Sequence, residues 1–335
     1  MKKILFRADA SPSLGTGDLM CLIHLSRRFQ NNGWETHFMT HDSEAARKLT
    51  ADYRIERCRF LVDEMGVKDE VNHINRYFAA NHITHFFACV NLWSLEKYTG
   101  LDPAVVKGCI NDDGKLTDDW RLVVNWNFPA PGLYAMENFP KTRFLLGPEF
   151  VILPDNFDRE IISKRTFNRP IKNLLIAMGG ADEYNLTTGV VRKVLDENLD
   201  LHLIIILGAG FEGHDELNSV LQSASLSYDC KTSVADMFTE YMNCDAAIGT
   251  GGLTSSELVA THTPSLLVAA YEHQEARCRY FGERGVAVYL GDLDACKNKS
   301  LKEGLAKLEN FDADNFSMRF RGAEEIYNYL TNTSN

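Results

Sequence analysis

Ala247-Ile248-Gly249-Thr250-Gly251-Gly252-Leu253-Thr254-Ser255-Ser256-Glu257 runs from a short apolar strand through a glycine-rich turn into a helix start. A strand that passes through glycines directly into a helix is the joint of a parallel α/β unit, and the flanking sequence repeats it. Upstream read strand 174–177, helix 186–197, strand 201–207 and helix 234–242. Downstream read helix 255–261, strand 265–268, helix 274–283, strand 286–290 and two closing helices at 301–308 and 316–330. The strands are continuous apolar runs, as expected where both faces of a sheet are covered by helices. A second joint of this kind, Met178-Gly179-Gly180-Ala181-Asp182, leads to Asn185 and Thr187.

The first half of the chain has the same alternation. Strands are predicted at 3–8, 36–39, 58–61, 85–90, 106–110, 122–125 and 144–146. Between the first two, Leu19, Leu22, Ile23, Leu25 and Phe29 fall on one face of a helix over 18–32, with Gly33 as its stop. The polar stretch 155–170 interrupts the series, so the expected organisation is a Rossmann-like domain over 1–154, a linker over 155–170 and a second Rossmann-like domain over 171–335. Two such domains imply a cleft, with ligands outside the carboxyl ends of the strands where strand order reverses.

The 335 residues carry 35 Lys plus Arg against 46 Asp plus Glu, a formal charge of −11, which argues against a nucleic-acid backbone as partner. No apolar run reaches the length of a membrane span and the start lacks a signal-peptide core, so a cytoplasmic protein is expected. The 8 cysteines form no Cys-x-x-Cys pair and read as reduced thiols, and neither a metal nor a cofactor is expected.

Glycines permit close backbone approach, and the amides of a helix N-terminus with the hydroxyls of Thr254 and Ser255 form a site for a diphosphate. Glu257, one turn on, could accept from ribose hydroxyls. The alternative is an ordinary tight turn with Thr254 as N-cap. Arg7-Ala8-Asp9-Ala10-Ser11 places two charges at the end of the first strand, as ligand-facing groups or as an internal ion pair. Leu14-Gly15-Thr16-Gly17-Asp18 leads into the first helix, where Asp18 reads as a reactive carboxylate, as an N-cap, or as both. Gly208-Ala209-Gly210-Phe211-Glu212-Gly213 fits the dinucleotide spacing with Asp229 beyond it, but it follows the second strand of its domain, and 227–229 makes a poor next strand. The pairs His82/His85 and His37/His41 lack the carboxylate surround of a metal site. Trp93, Trp126 and Tyr271 are candidates for shaping a sugar pocket or for core positions.

Taken in order, Arg7-Ala8-Asp9-Ala10-Ser11 with Leu14-Gly15-Thr16-Gly17, then Gly179-Gly180-x-Asp182-x-x-Asn185-Leu186-Thr187, Gly249-x-Gly251-Gly252-x-Thr254-Ser255-x-Glu257 and Glu272-x-Gln274 resemble the UDP-sugar hydrolases of pseudaminic acid biosynthesis and the related spore-coat polysaccharide proteins. The resemblance spans nearly the whole chain. It implies a glycosyltransferase-B-like α/β fold of two Rossmann-like domains facing a cleft. It also implies a UDP-sugar held by Gly251, Gly252, Thr254, Ser255 and Glu257, with Arg7, Asp9, Gly15, Gly17, Gly179, Gly180, Asp182, Asn185 and Gln274 lining the substrate. The family's Gly-His followed by Arg reads Gly17-Asp18 and Cys21 here, and its Asn-Gln reads His273-Gln274. Asp18 or His273 is therefore the expected base of an inverting displacement on a UDP-(di)acetamido-deoxy sugar, with a hydrolase that uses water as the main expectation and a glycosyltransferase that uses a sugar hydroxyl as the alternative. Loss of the family's histidine and arginine together also fits a non-catalytic sugar-nucleotide-binding protein.

Overall fold

The computed structural model describes residues 2–11, 14–62, 65–89, 98–116, 120–127, 130–157, 162–166, 168–223, 225–311 and 318–332. The chain divides into two compact units, Met1–Asp155 with Phe320–Asn335, and Asn156–Arg319.

In the first unit seven parallel strands are ordered β3-β2-β1-β4-β5-β6-β7, with β1 at Lys3–Ala8, β2 at Glu35–His41, β3 at Cys58–Leu61, β4 at His85–Cys89, β5 at Val106–Ile110, β6 at Leu122–Asn125 and β7 at Arg143–Leu146. Ile4, Leu5 and Phe6 of β1 are wholly buried because helices cover both faces of the sheet. Helix α1 (Gly17–Asn31) turns Leu19, Leu22, Leu25 and Phe29 inward, and Phe29 meets Phe6 edge-on at 5.6 Å. Helices α2 (Glu44–Asp52) and α3 (Val67–Asn81) follow β2 and β3. Their polar faces obscure the apolar period in the sequence. The strand order reverses between β1 and β4, so loops after these two strands diverge and leave a crevice at the carboxyl edge.

The second unit has six parallel strands in the order β10-β9-β8-β11-β12-β13: β8 at Asn173–Ala177, β9 at His202–Leu207, β10 at Ser227–Thr232, β11 at Ala246–Thr250, β12 at Ser265–Ala269 and β13 at Val288–Asp292. Its helices are α4 (Leu186–Asp196), α5 (His214–Gln222), α6 (Met237–Asn243), α7 (Leu253–Ala260), α8 (Glu272–Glu283), α9 (Leu293–Asn298) and α10 (Leu301–Leu308). Here the order reverses between β8 and β11, the two strands that end in the glycine joints.

Three expectations need correction. The segment 227–229, read as a poor strand, belongs to β10; it pairs in parallel with β9 from His202↔Ser227 to Leu207↔Thr232. All six of its side chains are exposed, so its sequence carries no apolar signal and the ladder alone defines it. The tail, expected in the second domain, forms helix α11 (Gly322–Thr331) on the first unit. Tyr327 packs edge-on against Phe29 at 5.1 Å, the Leu330 carbonyl bonds His85 Nε2 at 3.0 Å, and Arg121 reaches the Asn332 carbonyl at 2.9 Å. The stretch read as a linker is docked by Arg165, which donates to the carbonyls of Thr261 (2.9 Å), Cys244 (2.8 Å) and Tyr241, and to Thr263 Oγ1 (2.6 Å). Among the described residues no helix is long and apolar enough to cross a membrane.

The glycines of the dinucleotide-like run serve loop packing. A Cβ at Gly208 would lie 2.2 Å from the Gly180 carbonyl oxygen, and the Gly210 amide bonds that same oxygen at 2.9 Å. Backbone cannot yield as a flexible side chain can, so Gly208→Ala is expected to lower stability by about 1–3 kcal/mol, read by chemical denaturation. An unchanged midpoint would show that the two loops are free to separate.

Candidate functional site

In the second unit, β11 ends at Thr250 and α7 begins at Leu253, with Gly251 and Gly252 between. Gly252, not Thr254, is the N-cap, and among the described residues no side chain caps the helix, so the amides of its first turn are available to a ligand. Gly252, Leu253 and Thr254 are partly exposed. Gly251 cannot be replaced: a Cβ there would meet Cys278 Sγ at 2.5 Å and Gln274 Cβ at 2.8 Å, because α8 presses directly on the turn. The buried Gln274 accepts from the Ala270 amide at 3.1 Å. The contact of α8 therefore holds the glycines in one conformation with the amide end of α7 partly exposed, a geometry suited to an anion.

Ser255 and Glu257, expected to touch the nucleotide, are both buried. Ser255 Oγ donates back to the Gly252 carbonyl at 2.7 Å. Tyr241 donates its hydroxyl to Glu257 Oε2 at 2.6 Å, and burial raises the Glu257 pKa against that bond. These contacts brace the turn from within.

The joint after β8 lies beside it. Gly179 has φ +95°, a conformation that only glycine adopts without strain. Asp182 accepts from the amides of Leu186 and Thr187, both at 2.8 Å, and so caps α4. Asn185 accepts from Thr188 Oγ1 at 2.6 Å and donates to Glu216 at 2.7 Å. Asp182 and Asn185 thus shape the loop. On the exposed rim, the His273 ring stacks on Tyr271 at 5.6 Å and 13°, Tyr184 lies 5.6 Å from Tyr271, and Tyr271 donates to Glu183 at 3.0 Å. Trp126 is buried, and Trp93 lies outside the described residues.

The first unit holds a separate polar centre at the carboxyl edge of β1. Arg7 is wholly buried and donates from Nε to Glu70 Oε1 at 2.6 Å and from Nη1 to Asp9 Oδ1 at 2.5 Å. Asp9 also accepts from the His41 amide at 2.8 Å, and Glu70 from the Tyr98 hydroxyl at 2.7 Å. Burial pushes Glu70 up, but His41 at 3.7 Å and the charge and bond of Arg7 outweigh it and hold the carboxyl at about 2. Arg7 and Asp9 therefore form the internal ion pair.

The next loop returns through Gly15, at φ +76°, whose carbonyl accepts from the Ser11 amide at 3.1 Å, to Gly17, the first residue of α1. Thr16, not Asp18, is the N-cap. Asp18 in the first turn is partly exposed yet closely surrounded by protein. Burial first, then the charge of Asp112, raise its pKa to about 7; the Cys89 thiol bond opposes this and Asp9 adds to it. Cys89 closes β4 and Asp112 follows β5, so the carboxylate sits among groups from the strand ends around the reversal of strand order. A carboxyl titrating near neutrality is suited to taking and giving a proton.

Sequence reasoning passed over Glu70, Tyr98, Cys89, Asp112 and Arg277. Arg277, buried on α8, donates from Nη1 to the carbonyls of Gly251 (3.2 Å) and Gly252 (3.0 Å). Its place three residues after Gln274, on the same helix face, was the available signal.

With this geometry known, likeness to solved structures becomes informative. Over 98% of this chain and 99% of the other, it matches the crystal structure of Acinetobacter baumannii MurG with a TM-score of 0.64 at 12% identity. The fold is that of glycosyltransferase B. In sequence, the chain is 30% identical to an uncharacterized protein of Methanocaldococcus jannaschii over 201 residues, 58% of this chain and 39% of that one. It is 26% identical to the spore coat polysaccharide biosynthesis protein SpsG of Bacillus subtilis over 152 residues, 45% of this chain and 44% of that one. It is 27% identical to the UDP-N-acetylglucosamine–N-acetylmuramyl-(pentapeptide) pyrophosphoryl-undecaprenol N-acetylglucosamine transferase of Salinibacter ruber over 175 residues, 47% and 46% of the two chains. Each match spans less than half of the relative's length. No family model matches the chain.

Proposed function

We propose that the protein is a nucleotide-sugar enzyme of the glycosyltransferase class. The observation that carries this reading is the partly exposed amide end of α7 behind the Gly251-Gly252 turn, with a glycine as its N-cap, which suits the diphosphate of a UDP-sugar. In the second unit Gly251, Gly252 and Thr254 would face the phosphates, with Ser255 and Glu257 bracing them, and Gly179, Gly180 and Gln274 completing the surround. In the first unit Asp18 is the base. An acceptor hydroxyl attacks the anomeric carbon, its proton passes to the Asp18 carboxylate, and the bond from that carbon to the phosphate oxygen breaks. The charge left on UDP is met by the turn's amides. His273, exposed and stacked on Tyr271, is the other candidate for the base.

Transfer rather than hydrolysis is supported by the names of the relatives, a polysaccharide biosynthesis protein and an N-acetylglucosamine transferase. Hydrolysis of a UDP-diacetamido-deoxy sugar is the second reading, favoured by the motifs shared with the pseudaminic acid hydrolases and by a carboxylate able to activate water equally well. Release of UDP from a panel of UDP-amino sugars, with and without acceptor sugars, separates the two. We expect release to depend on added acceptor. Full turnover in water alone would replace transfer by hydrolysis, and binding with no turnover under any condition would leave a binding protein.

A further inference from the structure

We propose that Arg277 is a positioning residue for the diphosphate: its guanidinium holds the glycine turn in its binding conformation and supplies positive charge behind it. This rests on the function proposed above. The turn has two sides. Toward solvent lies the amide end of α7; behind it the carbonyls of Gly251 and Gly252 both accept from Arg277 Nη1, at 3.2 and 3.0 Å. A peptide plane whose carbonyl is fixed inward has the following amide directed outward, so these two bonds orient the amides of Gly252 and Leu253 toward a ligand. The Gly251 amide is separately fixed by the Val268 carbonyl at 3.0 Å, which leaves the next two amides as those that Arg277 governs.

The same side chain contributes charge. Arg277 is 6% exposed, so water screens it little, and its guanidinium remains cationic at any working pH. Placed at the positive end of α7, it strengthens the field that an isolated helix of this length offers. Its helix is held close by steric necessity, because Cys278 and Gln274, on either side of Arg277, fill the space where a Gly251 side chain would stand. The glycine turn and Arg277 therefore form a single device.

The test compares the full chain with Arg277→Lys and Arg277→Gln, titrating UDP and, as a phosphate-free comparator, uridine at millimolar concentration. Lysine keeps the charge without the fork that spans two carbonyls, and glutamine keeps a donor without the charge. The expected result is a loss of UDP affinity of about tenfold for Arg277→Gln and a smaller loss for Arg277→Lys, with uridine affinity unchanged in both. A merely structural role would weaken uridine and UDP by the same factor, and that outcome overturns the proposal. Unaltered UDP binding in both variants overturns it as well. Failure of the parent protein to bind UDP would instead remove the diphosphate reading on which the proposal stands. If Arg277→Gln does not fold, Arg277→Lys decides alone, through the ratio of its UDP and uridine losses.

Discussion

Asp18→Asn is expected to reduce UDP release by roughly 10²–10⁴-fold while UDP affinity stays within about twofold of the parent, because the change removes a proton acceptor and leaves the nucleotide turn untouched. The parent's pH profile carries the same information. A base must be ionised to act, and burial with the neighbouring Asp112 raises the Asp18 pKa to about 7, so turnover should rise with pH through an inflection near that value. Removing the neighbouring charge as Asp112→Asn should move the inflection to lower pH. Steady-state rates between acid and mildly alkaline pH check both statements. A profile flat across neutrality, or an Asp18→Asn variant of undiminished rate, would take Asp18 out of the reaction.

Arg7→Met is expected to be the most damaging single substitution for stability, at about 3–5 kcal/mol, since it leaves the buried carboxylates of Asp9 and Glu70 without the cation that both use. Its pH dependence has a definite sign. Glu70 is held at about 2, below its unfolded value, so its stabilising contribution is fully present above the ordinary carboxylate range and is lost as pH falls toward 2. In Arg7→Met the Arg7 share of that lowering is gone, so its stability should fall less steeply with acid than the parent's, and the gap between the two proteins should narrow as pH falls toward 2. Denaturant titrations at neutral and acid pH read both effects. Equal acid sensitivity in the two proteins would mean that Arg7 does not hold Glu70 ionised.

The parallel strands were legible because burial on both faces demands uninterrupted apolar runs such as Leu203, Ile204, Ile205, Ile206 and Leu207. Strand β10 was not, because its edge position exposes Ser227, Tyr228 and Lys231 alike, and its backbone ladder leaves no trace in composition. The glycine turns were also legible, since φ +95° at Gly179 and the contact of α8 on Gly251 restrict those positions to glycine. What lay beyond reading was the pairing of distant charges. Arg7 meets Glu70 across 63 residues, and Arg277 meets the turn across 25 and 26, through topology rather than spacing. Glu257 shows the converse: its residue type and place in the motif pointed outward to a ribose, whereas Tyr241, supplied by a different helix, engages it inside the unit.

Binding of the diphosphate at the Gly251-Gly252 turn is what every proposal above depends on. Its most direct test is UDP titration of the isotopically labelled full chain, following backbone amide resonances assigned to the glycine joints. Saturable shifts are expected at Gly251, Gly252, Leu253 and Thr254, with smaller ones at Gly179 and Gly180. Saturable binding with those amides unmoved, and shifts located elsewhere, would contradict binding at this turn.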